Sequence, residues 1–385
     1  MRTTAPPPRV AEIDALRGFA LLGILLVNVW FFATSDHLAG GPDPATATDA
    51  DLLVRFLVAT FVEGKFYLLF SLLFGYGLAV QVRRSPDEKA LRRSVGRRLG
   101  FLAVLGILHG ILLFYGDILL TYAMVGVVVV AIRPRSARAT LWLAAALTLG
   151  VGLLVLVLAA LSGPGATTGV APADPTGTWL EALTVNAGTY GDVLPSVVLF
   201  QGPLTLAACL AGYALALLGV LSPEIPPRRV LWRIVGGALP LGLAGSAVQA
   251  SLGVWSTEPG ASLLATGLSV IVSPLVTLGY AAAFLLLLGS RVGAPVRTVL
   301  AATGRLSLTN YLMQSVLLSL VFTGYVLGLM DRVPAPVVVL IALLILTGQV
   351  LASILLTRRF ERGPLEILLH RLVRPRPARG RTGEG

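Results

Sequence analysis

The chain has 385 residues, of which 56% are hydrophobic and only 13% charged, and its net charge is +11. Soluble domains carry about 25% charged residues, so this composition excludes a water-soluble enzyme, and its high hydrophobicity excludes a disordered chain. In a soluble protein such a basic balance would suggest nucleic acid as a partner, whereas in a membrane protein basic residues mark the cytoplasmic loops. The composition therefore predicts an all-α, polytopic membrane helix bundle with the lipid bilayer, not nucleic acid, as its partner.

A membrane-spanning helix needs about 20 mostly apolar residues. We predict one transmembrane domain over residues 1–374, followed by a disordered basic tail over 375–385. The second span has an amphipathic lead-in, and a short interfacial helix is expected near 178–189. The ten predicted spans are residues 12–33, 61–82, 97–115, 117–132, 139–162, 196–221, 230–252, 263–289, 306–328 and 335–357.

The basic residues indicate the orientation of these spans. If the N-terminus is cytoplasmic, 27 of the 30 lysines and arginines fall in cytoplasmic segments, and only Arg55, Lys65 and Arg332 fall on the other side. Such an imbalance on alternate loops is typical of the positive-inside rule. Ten spans then also return the C-terminus to the cytoplasm.

Metal and disulfide chemistry find little support in the sequence. Cys209 is the single cysteine, so neither an intramolecular disulfide nor a cysteine-based metal site is expected. His37 and His370 show no ligand spacing. We therefore predict no metal site and no covalently bound cofactor.

Ionisable and amide side chains within membrane spans are costly and are candidate functional groups. Asp14 and Arg17 share one face at the start of the first span, either as a structural ion pair or as a cationic mouth for an anionic ligand. Asn28 follows about 16 Å further along that helix and needs a hydrogen-bond partner. Lys65, near the outer face, either snorkels towards Glu63 or Asp117 or has a functional role.

His109 lies in the outer half of the third span, between Gly106 and Gly110. The glycine spacing is typical of close helix packing, which would press His109 against a neighbouring helix. Histidine can act as a general base near neutral pH, and Asp117 or Tyr122 could orient it. The alternative is a histidine that serves only as a structural hydrogen-bonding group.

A polar stripe begins the ninth span. Ser307, Asn310 and Gln314 recur at three- and four-residue intervals, directly after Arg305. A polar face at this depth must contact protein or line a water-filled cavity. The stripe is therefore either a hydrogen-bond ladder between helices or the wall of a channel.

Five stretches, in this order, resemble the YeiB-type family of bacterial membrane proteins over nearly the whole chain. They are residues 14–28, the segment 64–75, His109 with 116–119, residues 304–315, and 363–366. This family is distantly similar to the transmembrane acyltransferases, which include polysaccharide O-acyltransferases and the heparan glucosamine acetyltransferase. The resemblance implies a multi-pass protein of the bacterial cytoplasmic (inner) membrane.

The resemblance also implies an activity. Transmembrane acyltransferases take an acyl group from cytoplasmic acyl-CoA and deliver it to a hydroxyl or amine across the membrane. The O-acyltransferases carry a functional histidine 11 residues after the arginine of their first motif, and Asn28 occupies that position in this chain. Because asparagine cannot act as a general base, either His109 has taken over the role or the chain keeps the fold without the chemistry.

Our leading hypothesis is an acyltransferase-like enzyme with acyl-CoA as co-substrate and an extracytoplasmic or lipid-linked acceptor. The CoA phosphates would bind at four arginines, and the polar stripe would line the path of the thioester arm. His109, oriented by Asp117 or Tyr122, would deprotonate the acceptor, while Asn28 or Lys65 would stabilise the oxyanion. The four arginines are Arg17, Arg97, Arg98 and Arg305.

Two alternatives use the same residues. A transporter or flippase for a small polar or lipid-linked solute would line its pathway with them, and His109, Glu63 and Asp117 would relay protons. A non-catalytic scaffold would pair all its buried polar groups with one another. A homodimer is a further expectation that does not depend on which hypothesis holds.

Overall fold

The computed structural model describes residues 11–35, 48–161, 178–221, 225–256, 258 and 260–373. The predicted disordered tail, residues 375–385, lies outside these ranges. The described chain is helical. Its helices are α1 (Ala11–Asn28), α2 (Trp30–Ala33), α3 (Asp49–Phe61), α4 (Phe66–Arg84), α5 (Glu88–Leu112), α6 (Leu119–Ile132), α7 (Ala137–Leu161), α8 (Trp179–Ser196), α9 (Gly202–Leu217), α10 (Arg228–Trp255), α11 (Ala261–Leu288), α12 (Gly293–Arg305), α13 (Ser307–Phe322), α14 (Ala335–Arg359) and α15 (Pro364–Val373).

The predicted fold class, an all-helical membrane bundle, is confirmed. Eight helical stretches among the described residues are long and apolar enough to cross a membrane, and α6 and α13 are shorter apolar helices. Each of the ten predicted segments coincides with one of these ten helical stretches. The protein is therefore a multi-pass membrane protein, and lipid surrounds it.

Several predicted boundaries were wrong for local reasons. The segment 61–82 does not form one helix, because residues 62–65 turn and Gly64 has φ +78°, so that α4 starts only at residue 66. The helix predicted over 306–328 ends at Phe322, and the turn after it includes Gly328 at φ +60°. The interfacial helix expected near 178–189 extends through a π-helical turn, Val197–Gln201, into α9.

Two pairs of helices approach each other at backbone distance. A Cβ atom at Gly75 of α4 would lie 2.0 Å from the Cys209 carbonyl oxygen, and one at Gly212 of α9 would lie 1.8 Å from the Leu72 carbonyl oxygen. Helix α12, which the sequence did not predict, packs on α1 in the same way. There, a Cβ atom at Gly304 would lie 1.8 Å from the backbone of Asp14. These reciprocal contacts require glycine, because any side chain would push the helices apart.

Contacts between helix termini define two ends of the bundle. At the basic end, Arg133 pairs with Glu88 and Arg83 donates to the Ala216 carbonyl oxygen at 2.9 Å. At the opposite, distal end, Asp51 accepts from the Ala335 amide at 2.7 Å, next to the start of α14. Helix α5 starts at the basic end with Glu88 and carries His109 towards the distal end.

Candidate functional site

Three buried side chains from separate parts of the chain form a hydrogen-bonded relay. His109 Nδ1 lies 2.8 Å from Asp117 Oδ1, and His109 Nε2 lies 2.8 Å from Ser315 Oγ. The three residues are no more than 4% exposed. We refer to Asp117, His109 and Ser315 as the relay.

Local packing fixes the histidine in this position. A Cβ atom at Gly106 would lie 2.4 Å from the Leu120 amide nitrogen and 2.7 Å from Asp117 Oδ2, so glycine lets α5 approach the start of α6. Asp117 Oδ2 accepts from the Leu120 amide at 2.9 Å, which caps one free N–H of the first turn of α6. The glycine spacing around His109 therefore serves close packing, and that packing brings His109 and Asp117 together.

The ionisation of Asp117 decides which groups donate within the relay. An ionised Asp117 can only accept, so His109 Nδ1 carries the proton and donates to Oδ1. His109 Nε2 is then an acceptor, and the Ser315 hydroxyl donates to it. This is the order of donors and acceptors that activates the serine in serine hydrolases, where the carboxylate also holds the imidazole in its tautomer.

Ser315 differs from many other helical hydroxyls of the protein. Thr148, Ser251 and Thr347, for example, donate back to the carbonyl oxygen four residues earlier in their own helix. Such back-bonding occupies the hydroxyl hydrogen. In Ser315 the structure directs the hydroxyl to His109 instead, across 206 residues of sequence.

Aromatic rings surround the relay. The Tyr311 ring centroid lies 5.1 Å from that of His109, and the Phe114 centroid lies 5.9 Å from it. Phe114 also stacks on Phe32 at 5.1 Å. These rings exclude water, and in a medium of low polarity the charge of Asp117 acts more strongly on the imidazole.

A small cavity of about 40 Å³ lies between the relay and the distal end. We call it the distal pocket. Phe114 forms part of its wall, and Ser319 and Thr323 line it one and two turns beyond Ser315 on α13. Its other polar or aromatic lining residues are Tyr115, Trp179, Asn186 and Tyr325.

The distal pocket has a fixed hydrogen-bonding rim. Asn186 of α8 donates to the Gly110 and Ile111 carbonyl oxygens, at 2.8 Å each, and accepts from the Tyr115 amide at 3.1 Å. Burial raises the pKa of the Tyr115 phenol, which stays neutral and donates to the Phe31 carbonyl oxygen at 3.1 Å. Helix α8 thereby holds the end of α5 just beyond His109.

The polar stripe at the start of α13 is a ladder between helices. Asn310 Nδ2 donates to Ser353 Oγ at 3.0 Å, and Gln314 Nε2 donates to Gln349 Oε1 at 3.1 Å. Gln349 Nε2 in turn donates to the Asn310 carbonyl oxygen at 3.0 Å. Of the two interpretations of the stripe, these bonds between α13 and α14 form the ladder, although the buried Gln314 Oε1 has no hydrogen-bond partner among the described residues. Ser307, before the ladder, is half-buried.

Lys65, Asn28 and Tyr122, proposed from the sequence as site residues, lie apart from the relay's hydrogen bonds. Lys65 is fully buried, and its Nζ donates to the Ala59 carbonyl oxygen at 2.7 Å rather than pairing with Asp117. Asn28 is half-buried at the last residue of α1. Tyr122, expected to orient His109, instead has its hydroxyl 3.1 Å from Ser71 Oγ. Within the described residues, only Asp117 of the proposed partners bonds to His109.

The arginines proposed to bind phosphate have different surroundings. Arg17 pairs with Asp14 at 3.2 Å, and Arg98 donates to Gln81 at 3.0 Å with its guanidinium 5.2 Å from the Phe74 ring centroid. A Cβ atom at Gly77 of α4 would lie 3.5 Å from Arg17 Nη2, and Gln81, which accepts from Arg98, follows one turn later, so both guanidinium groups lie beside α4.

Of the other two proposed arginines, Arg97 contacts α15 and Arg305 is the last residue of α12. Arg97 is exposed and donates to the Leu372 carbonyl oxygen of α15 at 3.4 Å. The buried Nε of Arg305 has no hydrogen-bond partner among the described residues. The structure thus brings Arg17 and Arg98 together and turns Arg97 towards α15.

Sequence reasoning missed Ser315 as a member of the site. The residue ends the motif 304–315, next to the polar stripe, but nothing in the sequence indicates that it contacts His109. It also missed Glu366 of α15, which accepts from the Leu308 amide at 2.8 Å and from the Thr309 amide at 3.1 Å at the start of α13. For Glu366 a signal existed, because a free helix N-terminus attracts a carboxylate.

No group of three or more His, Cys, Asp or Glu side chains able to hold a metal occurs in the described ranges. The groups of the relay offer proton transfer at His109 and nucleophilic attack by a hydroxyl. This defines a class: a polytopic helical membrane protein with an Asp–His–Ser relay in its interior.

The chain is similar in sequence to a described family and to individual bacterial proteins. The family described as "Protein of unknown function (DUF418)" matches residues 215–376. The chain is 29% identical to the uncharacterized protein YeiB of Escherichia coli (strain K12), over 95% of this chain and 96% of that protein. It is 28% identical to the uncharacterized protein YxaH of Bacillus subtilis (strain 168), over 96% of this chain and 95% of that protein. These similarities confirm the resemblance to the YeiB-type proteins.

Proposed function

We propose that the protein is a membrane acyltransferase that moves an acyl group from cytoplasmic acyl-CoA to an acceptor on the outer side of the bacterial cytoplasmic membrane. The observation that carries this proposal is the relay: a buried imidazole, oriented by a carboxylate at 2.8 Å and bonded to a hydroxyl at 2.8 Å. Acyl transfer to a hydroxyl or amine needs a base that removes one proton, and the relay has such a base in the correct tautomer.

The two ends of the bundle suit the two substrates. At the basic end, the guanidinium groups of Arg17 and Arg98 both lie beside α4, where they would attract anions, and Asp14 pairs with Arg17. CoA carries phosphates, which arginine binds well. At the distal end, the distal pocket lies where we expect the acceptor to bind.

An apolar groove supports an acyl substrate. A groove of about 510 Å³ runs between α5 and α6, the helices that flank the hairpin carrying Asp117. Leu99, Ala103 and Val127 are among its apolar lining residues, and Arg92 and Arg133 stand at its basic end. Its shape and polarity suit an acyl chain beneath an anionic group.

The test uses the purified protein with acetyl-CoA, a long-chain acyl-CoA and free CoA. A ligand that binds the native state raises its melting temperature by mass action. We expect both acyl-CoA compounds to stabilise the protein and free CoA thiol to be released slowly. The His109→Ala variant should still bind but release no thiol, and His370→Ala, on α15, is the matched control.

Three results would count against the proposal. Undiminished thiol release by His109→Ala would remove the base from the mechanism. Thiol release lost equally in His370→Ala would indicate damage to the fold. Absence of binding at millimolar acyl-CoA would favour the transporter, and solute flux in proteoliposomes would then be measured.

A further inference from the structure

From the geometry of the relay we infer that Ser315 is a nucleophile that carries the acyl group as a covalent ester between the two substrates. This inference rests on the proposed acyl transfer and adds a second step to it. Its basis is the Ser315 hydroxyl, which donates to His109 Nε2 at 2.8 Å and to no backbone carbonyl that the structure records.

The position of Ser315 favours a covalent role over a purely structural one. Many serines and threonines in the helices donate to their own backbone, as Ser251 does at 2.9 Å. Ser315 gives its hydrogen to an imidazole whose other nitrogen is fixed by Asp117. An imidazole held in this way raises the nucleophilicity of the hydroxyl by accepting its proton during attack.

The same helix face leads from Ser315 to the distal pocket. Ser319 and Thr323 follow at four-residue intervals, so the three hydroxyl residues lie above one another, about 6 Å apart per turn. Ser319 and Thr323 line the distal pocket together with Phe114, whose ring lies 5.9 Å from that of His109. An ester on Ser315 would therefore lie one helical turn from a pocket that an acceptor could enter from the distal end.

The two steps balance as follows. In the first, Ser315 Oγ attacks the thioester carbonyl carbon, His109 Nε2 takes the serine proton, the C–S bond breaks, and the proton passes to the leaving CoA thiolate. In the second, the acceptor hydroxyl or amine attacks the ester carbonyl, His109 takes its proton, the C–O bond to Ser315 breaks, and the proton returns to Ser315 Oγ. No oxidant or reductant is required.

The first arm of the test does not depend on acyl-CoA. A fluorophosphonate reacts with serine hydroxyls that a histidine activates, and peptide mass mapping identifies the labelled residue. We expect label on Ser315 in the wild-type protein, none in Ser315→Ala, and full labelling in the Ser251→Ala control. His109→Ala should label about 10²–10⁴-fold more slowly, the usual contribution of a general base.

Access and folding are controlled separately. Phe114→Ala opens the floor of the distal pocket and should speed the labelling of Ser315. Ser315→Cys keeps a nucleophile of similar size, so it should fold where Ser315→Ala does not and should take up the acyl group as a thioester. If both the wild type and Phe114→Ala stay unlabelled at position 315, the inference is overturned.

The second arm uses acetyl-CoA with a labelled acyl group and an acid quench. An acyl group on the Ser315 peptide, released by alkaline hydroxylamine, supports the inference. Release of CoA thiol with no acyl-protein, undiminished in Ser315→Ala, would overturn the inference and leave the proposed function standing. Fluorophosphonate label on Ser315 without any CoA release would instead overturn the proposed acyl-CoA function and leave an activated serine.

Discussion

The contact between α4 and α9 allows a prediction whose size follows from the structure. Gly75 and Gly212 each face a backbone carbonyl group of the partner helix, and the Cβ atoms of alanine would lie 2.0 Å and 1.8 Å from those oxygens. Ordinary Cβ contacts are 3.4–4 Å. Neither backbone can rotate away as a side chain would, so each alanine must push the two helices apart by more than an ångström.

The expected cost comes from two opposing effects. Overpacking a tight contact costs about 1–3 kcal/mol. Alanine is also a better helix former than glycine by about 1 kcal/mol in water, and this offsets part of the cost. We therefore expect Gly75→Ala and Gly212→Ala to destabilise the protein by up to about 2 kcal/mol each.

Two helical glycines provide the matched controls. Nothing lies within 4 Å of a Cβ atom at Gly150 of α7 or at Gly348 of α14. Alanine at these positions keeps the propensity gain without the clash, so the control variants should be as stable as the wild type or more stable.

Unfolding in mixed micelles with increasing SDS, followed by circular dichroism, measures the differences. The double variant Gly75→Ala with Gly212→Ala tests whether the two contacts act as one, because a single separation of the helices relieves both and the costs would then not add. If Gly75→Ala and Gly212→Ala are as stable as Gly150→Ala, the backbone contact between α4 and α9 does not exist as described.

Three further predictions concern the relay, the basic end and the contact of Glu366 with the first amides of α13, which we call the clamp. Asp117→Asn should move the imidazole proton of His109 to Nε2, visible by NMR, and lower acyl-CoA turnover by about 10⁴-fold, as the same change does in serine proteases; normal turnover would contradict the role of the carboxylate. Glu366→Ala leaves two amides of α13 without an acceptor and should cost about 1–3 kcal/mol, with α15 becoming the first site of proteolysis; unchanged protection of α15 would argue against the clamp. Arg98→Gln should raise the KM for acyl-CoA with little change in kcat, whereas Arg332→Gln should change neither, and equal effects of the two would rule out phosphate binding at the basic end.

The sequence was sufficient for the helices because their signal is local. Runs of apolar residues and the basic residues between them mark each span without knowledge of its neighbours. The sequence did not predict helix α12, because this helix is buried by its contact with α1 and does not contain a long apolar run. The turn at 62–65 was not predicted, because Gly64 adopts a left-handed conformation within an apolar stretch whose composition favours a helix.

The candidate site was predictable only where it is local. His109 and Asp117 are eight residues apart, and the hairpin between them made their meeting a reasonable expectation. Ser315 joins them across 206 residues, and nothing in its neighbourhood separates it from the serines of the ladder. Tyr122 and Lys65 were predicted as site residues, but each bonds to a group outside the relay. The Tyr122 hydroxyl bonds to Ser71 and Lys65 donates to the Ala59 carbonyl oxygen, and the sequence indicates neither contact.

The clamp of Glu366 on α13 has a consequence for the order of assembly during synthesis. Helix α13 carries Ser315, yet two of its first amides have their acceptor on α15, close to the C-terminal end of the chain. Membrane proteins enter the bilayer as they are translated, so His109 and Asp117 are in place long before their third member is secured. The relay is therefore among the last features to become complete, and a protein cut short before Glu366 would insert its helices while leaving the start of α13 uncapped.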